Sequence, residues 1–233
     1  MAAVMTIEAP NTDKLERYIR DCQKGGIQIE PVCLNKSQKG FSVPPIAERE
    51  FDEEGRRIDV IRFGVQAVKN VGGGVVDAIL EAREACGGSF ARAEEFFESI
   101  DYGRVNRRVL ECLIKAGALD FTGVGRAALL EGLPAAMSQG QQAAQDRAAG
   151  QMNLWSAGGG RQMVEMAFPD SLWTASERLK HERAAVGFNV RGHIMDNLQE
   201  DVRRYATVPL GGAPDLPVNG EKVRIMGVPQ DVR

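Results

Sequence analysis

The chain has 233 residues, 43% of them hydrophobic and 26% charged, with a net charge of −3 at pH 7. That length can hold one large domain or two ordinary ones, and the composition is that of a soluble globular protein. The slightly acidic balance excludes a chain that wraps nucleic acid over its whole surface, while leaving room for a local basic patch. Four cysteines, Cys22, Cys33, Cys86 and Cys112, form no C-x-x-C pair, and His181 and His193 are the only histidines. This spacing argues against a zinc site and for reduced thiols in a cytoplasmic protein. No apolar run reaches membrane-spanning length, and the opening MAAVMTIEAPNTDK lacks the regions of a signal peptide.

In chain order, Leu15, Tyr18, Ile19 and Cys22 fall at helical spacing, with Asn11 or Thr12 as N-cap and Gly25-Gly26 as stop. Ile27, Ile29 and Val32 predict a short strand, Phe41 and Val43 another ended by Pro44-Pro45, and Arg57 to Phe63 a third after the Glu54-Gly55 turn. Nothing in this small α+β opening looks catalytic.

Residues Phe63 to Arg83, FGVQAVKNVGGGVVDAILEAR, form two apolar-periodic arms around Val71-Gly72-Gly73-Gly74. Val65, Val68 and Val71 mark the first arm, and Val75, Ala78, Ile79 and Ala82 the second. Three glycines in a row let the backbone take positive φ and approach another molecule closely. A tight turn that opens a helix also leaves backbone N–H groups pointing outward, where they attract an anion. This is a helix-hairpin-helix layout, which grips a nucleic-acid phosphate without reading sequence. Such modules usually carry glycine where Asn70 stands, and Asn is the next-best residue for a left-handed conformation. The same turn also serves simple helix packing, so this stretch alone leaves DNA contact and packing both open.

Ser89 to Ile100 predicts a capped amphipathic helix with Phe90, Phe96, Phe97 and Ile100 in the core. The next begins at Asn106, buries Val109, Leu110, Leu113 and Ile114, and stops at Gly117. Arg104, Arg107 and Arg108 cluster at its entrance, either as a solvated face or, beside an anion-binding hairpin, as phosphate contacts. A second glycine turn, Gly123-Val124-Gly125-Arg126, opens a helix from Ala127 to Leu133 and reads as structural.

Residues 134 to 161 are rich in Ala, Gln and Gly, predicting a solvated helix tail and then a flexible linker. Within it sits one apolar cluster, Gln151-Met152-Asn153-Leu154-Trp155, which either folds back on the domain or anchors in a partner's pocket. Further on, Thr174 or Ser171 caps a helix that carries Leu179, Ala185 and Val186 and stops at Gly187. Phe188 and Val190 resemble a strand, and His193 is expected to be structural, since no partner stands at metal spacing. EKVRIMGVPQDVR alternates like the first strand of a barrel.

Taken together, FGVQAVKNVG, VNRRVLECLIKAGALD, GRAALL, GQMNLW, ERLKHERAAVGFNVRGH and VRIMGV resemble the alpha subunits of bacterial DNA polymerase III, the C-family replicative polymerases. The resemblance covers the whole chain and implies an internal segment or truncated reading frame. It implies a mainly α fold with a small α+β start, as follows: the end of a fingers region (1–62), a helix-hairpin-helix DNA-binding domain (63–135), a linker with a clamp-binding peptide (136–161), an α/β connector (162–205), and the truncated start of an OB-type β-barrel (206–233). Carried over by motif, Lys69, Asn70, Val71, Gly72, Gly73 and Gly74 are implied to hold double-stranded DNA, joined by Arg104, Arg107 and Arg108. Gln151, Leu154 and Trp155 match a sliding-clamp peptide, with Trp155 where the family commonly has Phe. Other replisome subunits are further implied partners, and no membrane is.

The resemblance places the polymerase carboxylates and their Mg2+ in a palm region outside this segment, and no Asp-x-Asp pair here replaces them. No cofactor and no catalytic residue are therefore expected, and the segment alone should not polymerise. The competing readings are a stand-alone helix-hairpin-helix module of a repair or recombination protein, and an error-prone relative of the same polymerase. A glycosylase or ligase would need an activated Asp101 or Lys115, and neither has an activating neighbour in sequence.

Overall fold

Two short parallel strands, β1 (Gln28–Glu30) and β2 (Val60–Arg62), begin the architecture, with Ile29 opposite Ile61. This computed structural model describes residues 1–48, 50–148, 165–190, 199–206 and 224–226. The described residues also form eight α-helices, namely α1 (Ala2–Ile7), α2 (Thr12–Lys24), α3 (Gly73–Ala85), α4 (Ala93–Ser99), α5 (Arg107–Ala116), α6 (Arg126–Ala148), α7 (Ala175–Val186) and α8 (Gln199–Tyr205). The chain is mainly α with a small α+β start.

Helix α2 follows its sequence pattern. Leu15, Ile19 and Cys22 are buried one turn apart, and the Asn11 side chain accepts from the Lys14 N–H to cap it. Helix α5 likewise buries Val109, Leu110, Leu113 and Ile114, is capped by Asn106, and ends at Gly117 with φ 84°. The short α1 buries Met5 and has no counterpart in the sequence reading, being too brief for a periodic signal.

Several expectations are corrected. The Phe41–Val43 strand reduces to one antiparallel bridge between Ser42 and Arg62, because Pro44-Pro45 cannot donate to a ladder. Helix α4 begins at Ala93, not Ser89. Phe90 is still core, but outside the helix, held by Asn35, whose side chain donates to the Phe90 carbonyl (2.9 Å) and accepts from its N–H (2.9 Å). Phe188 and Val190 are buried without forming a strand. Val190 donates its N–H to the buried Glu182 carboxylate, and the Phe188 ring tilts against Phe63 at 6.1 Å. The helix that starts at the second glycine turn runs through Ala148 despite Pro134, and its later turns are largely exposed, as expected of a helix tail, except along one face. Ala136 and Gly140 are buried, and the Gly140 backbone lies directly on Phe97 and Tyr102.

One hydrophobic core runs from Met5 to Val190, so residues 165–190 pack into the same body as the hairpin region. Arg83 crosses this body, donating to the Leu34 and Ser37 carbonyls at 2.9 and 2.8 Å. The clamp-peptide residues Gln151, Leu154 and Trp155, together with His193, lie outside the described residues. So does most of the expected barrel start, of which residues 224–226 are described without a strand.

Candidate nucleic-acid interface

The hairpin differs from two helical arms around a flexible glycine turn. Its first arm is a single 3-10 turn, Val65–Ala67, whose Val65 and Gln66 N–H groups donate to the Gln38 and Lys39 carbonyls. Those bonds to a neighbouring segment replace the continuation of a helix. Gly64 makes this possible, since its backbone rests against Gly40 and Phe41 with no room for a side chain. Val68 and Val71 are buried beneath the turn.

Positive φ falls on Asn70 (65°), while Gly72 has φ −78° and Gly73 begins α3. Asn70 therefore supplies the left-handed residue expected of it, and its amide donates to Cys112 Sγ at 3.2 Å. The glycines serve by lacking side chains. Nothing stands within 4 Å of a Cβ placed on Gly72 or Gly74. The N-cap Gly72 offers no side-chain acceptor, and intrahelical bonding begins with Val75 and Val76 donating to the Gly72 carbonyl. The Gly73 and Gly74 amides thus lack an intrahelical acceptor at the positive end of a 13-residue helix. An anion can reach them unobstructed.

The expected cations sit differently. Lys69 is exposed beside the turn, with its own N–H donating to the Ala185 carbonyl at 2.8 Å. Arg104 lies against the first turn of α3, but its guanidinium donates to the Gly74 carbonyl at 2.8 Å and to Glu81 at 2.7 Å, so it braces the hairpin. Arg107 pairs with Glu111 along α5 at 2.8 Å. Arg108 is exposed with no ion pair among the described residues. Sequence reasoning missed Lys39 and Gln66. Lys39 Nζ comes within 3.4 Å, and Gln66 Nε2 within 3.8 Å, of where a Gly73 Cβ would stand. Lys39 is remote in sequence, and only the Gly40–Gly64 approach brings it here.

At the second glycine turn, Gly123 has φ 74°, and Arg126 folds inward to make a bidentate pair with Asp120 at 2.7 and 2.6 Å. Arg126 is therefore part of the structure of its turn. Among the described residues, no group of three or more His, Cys, Asp or Glu side chains converges as a metal site, and no helix is long and apolar enough to cross a membrane.

Comparison with known proteins agrees with this geometry. A family model described as a helix-hairpin-helix motif matches residues 26–129. DNA polymerase III subunit alpha of Pseudomonas aeruginosa is 33% identical over 231 residues, covering 88% of this chain and 18% of that protein. The chain is related to a segment of the DNA polymerase III alpha subunit. The Vibrio cholerae alpha subunit is 34% identical over 215 residues, covering 91% of this chain and 17% of its own length, and that of Escherichia coli K12 is 32% identical over 207 residues, covering 88% and 17%. The chain thus spans less than a fifth of these relatives. The family match includes β1, β2 and both glycine turns but not α1 or α2, so the helix-hairpin-helix unit draws in the two strands of the small α+β start.

Proposed function

We propose that this chain is the duplex-holding and clamp-tethering section of a replicative polymerase alpha subunit, working in the cytoplasm with a sliding clamp and other replisome subunits. The observation that carries the first half is the uncapped, glycine-only start of α3 beside a left-handed Asn70. Its amides suit one phosphate of a duplex, with Lys69 alongside and Arg108 within the same α3–α5 region. Arg104 supports the site by bracing the first turn of α3, and the exposed Arg107 is paired within α5. Such contacts are blind to sequence and weaken with salt.

For the second half, Gln151, Leu154 and Trp155 combine one hydrogen-bonding side chain with two apolar anchors, a pattern suited to a preformed pocket. Both flanks of their segment attach to α4, with Arg147 donating to the Glu98 carbonyl and the Met166 N–H donating to Glu94. Polymerisation itself needs clustered carboxylates and Mg2+, which this reading assigns to another part of the enzyme.

Gly72→Asp tests the hairpin. A carboxylate at this N-cap gains only a few tenths of a kcal/mol over glycine, with a further favourable interaction with the helix start, yet repels phosphate, so the melting temperature should hold or rise slightly while duplex affinity falls. Unchanged affinity would overturn the hairpin as the contact. The Leu154→Ala/Trp155→Ala double variant should lose binding to a bacterial sliding clamp. If the folded wild type shows no clamp affinity, the reading becomes a stand-alone DNA-binding module.

A further inference from the structure

A groove of about 710 Å³ opens beside the hairpin turn and extends to the junction of α1 and α2. It is lined by Lys39, Lys69, Gln66 and Asn70 on the hairpin side and by Thr6 and Thr12 on the other. No carboxylate is among the described residues that line it, although the chain carries a net charge of −3. Cations and neutral hydrogen-bonding groups without acids suit a chain of phosphates.

We propose that this groove carries one strand of the sugar–phosphate backbone of the bound duplex, with Lys39 as a phosphate contact. This rests on the hairpin reading and extends the duplex-holding surface onto the small α+β start, through Thr6 to Thr12 and Lys39 to Phe41. Lys39 Nζ holds both Asp77 carboxylate oxygens at 2.8 Å, and both side chains are nearly half exposed. An exposed pair of this kind contributes little to stability, so the ammonium can exchange a carboxylate for a phosphate at small cost. The same ammonium stands beside Gly73, where a phosphate would meet the α3 amides. Opposite, Gly40 and Gly64 form a wall without side chains, and Ile7 is exposed at the rim for contact with the apolar faces of sugars. The Thr6 hydroxyl is already used, accepting from the Phe41 N–H and donating to the Ala2 carbonyl, so it shapes the wall.

The test is binding of the full chain to a short mixed-sequence DNA duplex across a salt series. Wild type, Lys39→Gln, Asp77→Asn and Gly72→Asp are compared, with thermal melts to verify folding. Lys39→Gln should weaken binding on every sequence and flatten the slope of log K against log salt by about 0.9, one phosphate's share. Asp77→Asn frees the ammonium and should tighten binding. If Gly72→Asp weakens binding while Lys39→Gln and Asp77→Asn leave affinity and slope unchanged, the groove is not on the path and the hairpin reading stands. If the folded wild type does not bind the duplex, both fall together.

Discussion

The main-chain N–H of Lys69 donates to the carbonyl oxygen of Ala185 across 2.8 Å, joining the entry of the hairpin turn to the last turn of α7. A helix leaves its final carbonyls without intrahelical donors, and here one is satisfied by the turn expected to hold DNA. Helix α7, more than a hundred residues further along the chain, therefore returns to position the hairpin.

Gly187 makes that return possible. It ends α7 at φ 104°, and a methyl group there would overlap the Thr12 side chain at the start of α2. Gly187→Ala should cost about 2 kcal/mol or more from the left-handed backbone and the overlap together. Thermal or urea unfolding measures it. A variant as stable as wild type would mean that α7 does not dock on α2.

Gly140 lies inside a long helix, where replacement by Ala ordinarily gains about 0.5–1 kcal/mol. In α6 the sign should reverse, because the added methyl would run into the Phe97 carbonyl and the Tyr102 hydroxyl, which are themselves bonded at 2.7 Å. The expected outcome of Gly140→Ala is a lower melting temperature. A rise would show that these turns of α6 do not press on α4.

Arg126 is buried with Asp120 held bidentate and the Glu182 carboxylate 3.5 Å away. Gly117 must be glycine beside it, since a methyl group would overlap the guanidinium. Arg126→Met keeps the stem but removes the charge from beside a buried acid, and should destabilise by about 3 kcal/mol. Chemical denaturation reads this loss, and a change below about 0.5 kcal/mol would refute the network's role.

His181 stacks on Trp173 with ring centroids 4.0 Å apart. Burial, then the Lys115 charge, holds its pKa below the ordinary histidine value, with Glu177 opposing. The folded state therefore prefers neutral imidazole, whereas the unfolded chain takes up a proton near pH 6.5. Its contribution is complete above that pH and is lost as the solution is acidified through and below it. The difference in melting temperature between wild type and His181→Gln should narrow from pH 7 to pH 5. A constant difference would contradict the assignment.

Several features are legible in the sequence. Asn11, Asn106 and Gly117 announce the ends of α2 and α5 through local chemistry, and the heptad-like spacing of Leu15, Ile19 and Cys22 marks a buried stripe. The left-handed role of Asn70 follows from its side chain, and the family resemblance follows from ordered motifs along the chain. The caps, the buried stripe and the Asn70 conformation depend on residues within about one helical turn of each other, which is the range that capping and periodicity report, whereas the resemblance rests on the order of motifs along the chain.

Tertiary structure decided the rest. The bonds from Val65 and Gln66 to Gln38 and Lys39 turned the expected first helical arm into a 3-10 turn and delivered Lys39 to the head of α3. Contacts with Gly74 and Glu81 made Arg104 a brace, and contact with α4 buried Ala136 and Gly140 on one face of the otherwise exposed later turns of α6. Each outcome depends on a partner distant in sequence and on close backbone approach at a glycine. The sequence by itself determined the local elements, their caps and the family; packing decided which cations face the hairpin, because burial and charge pairing are settled between elements.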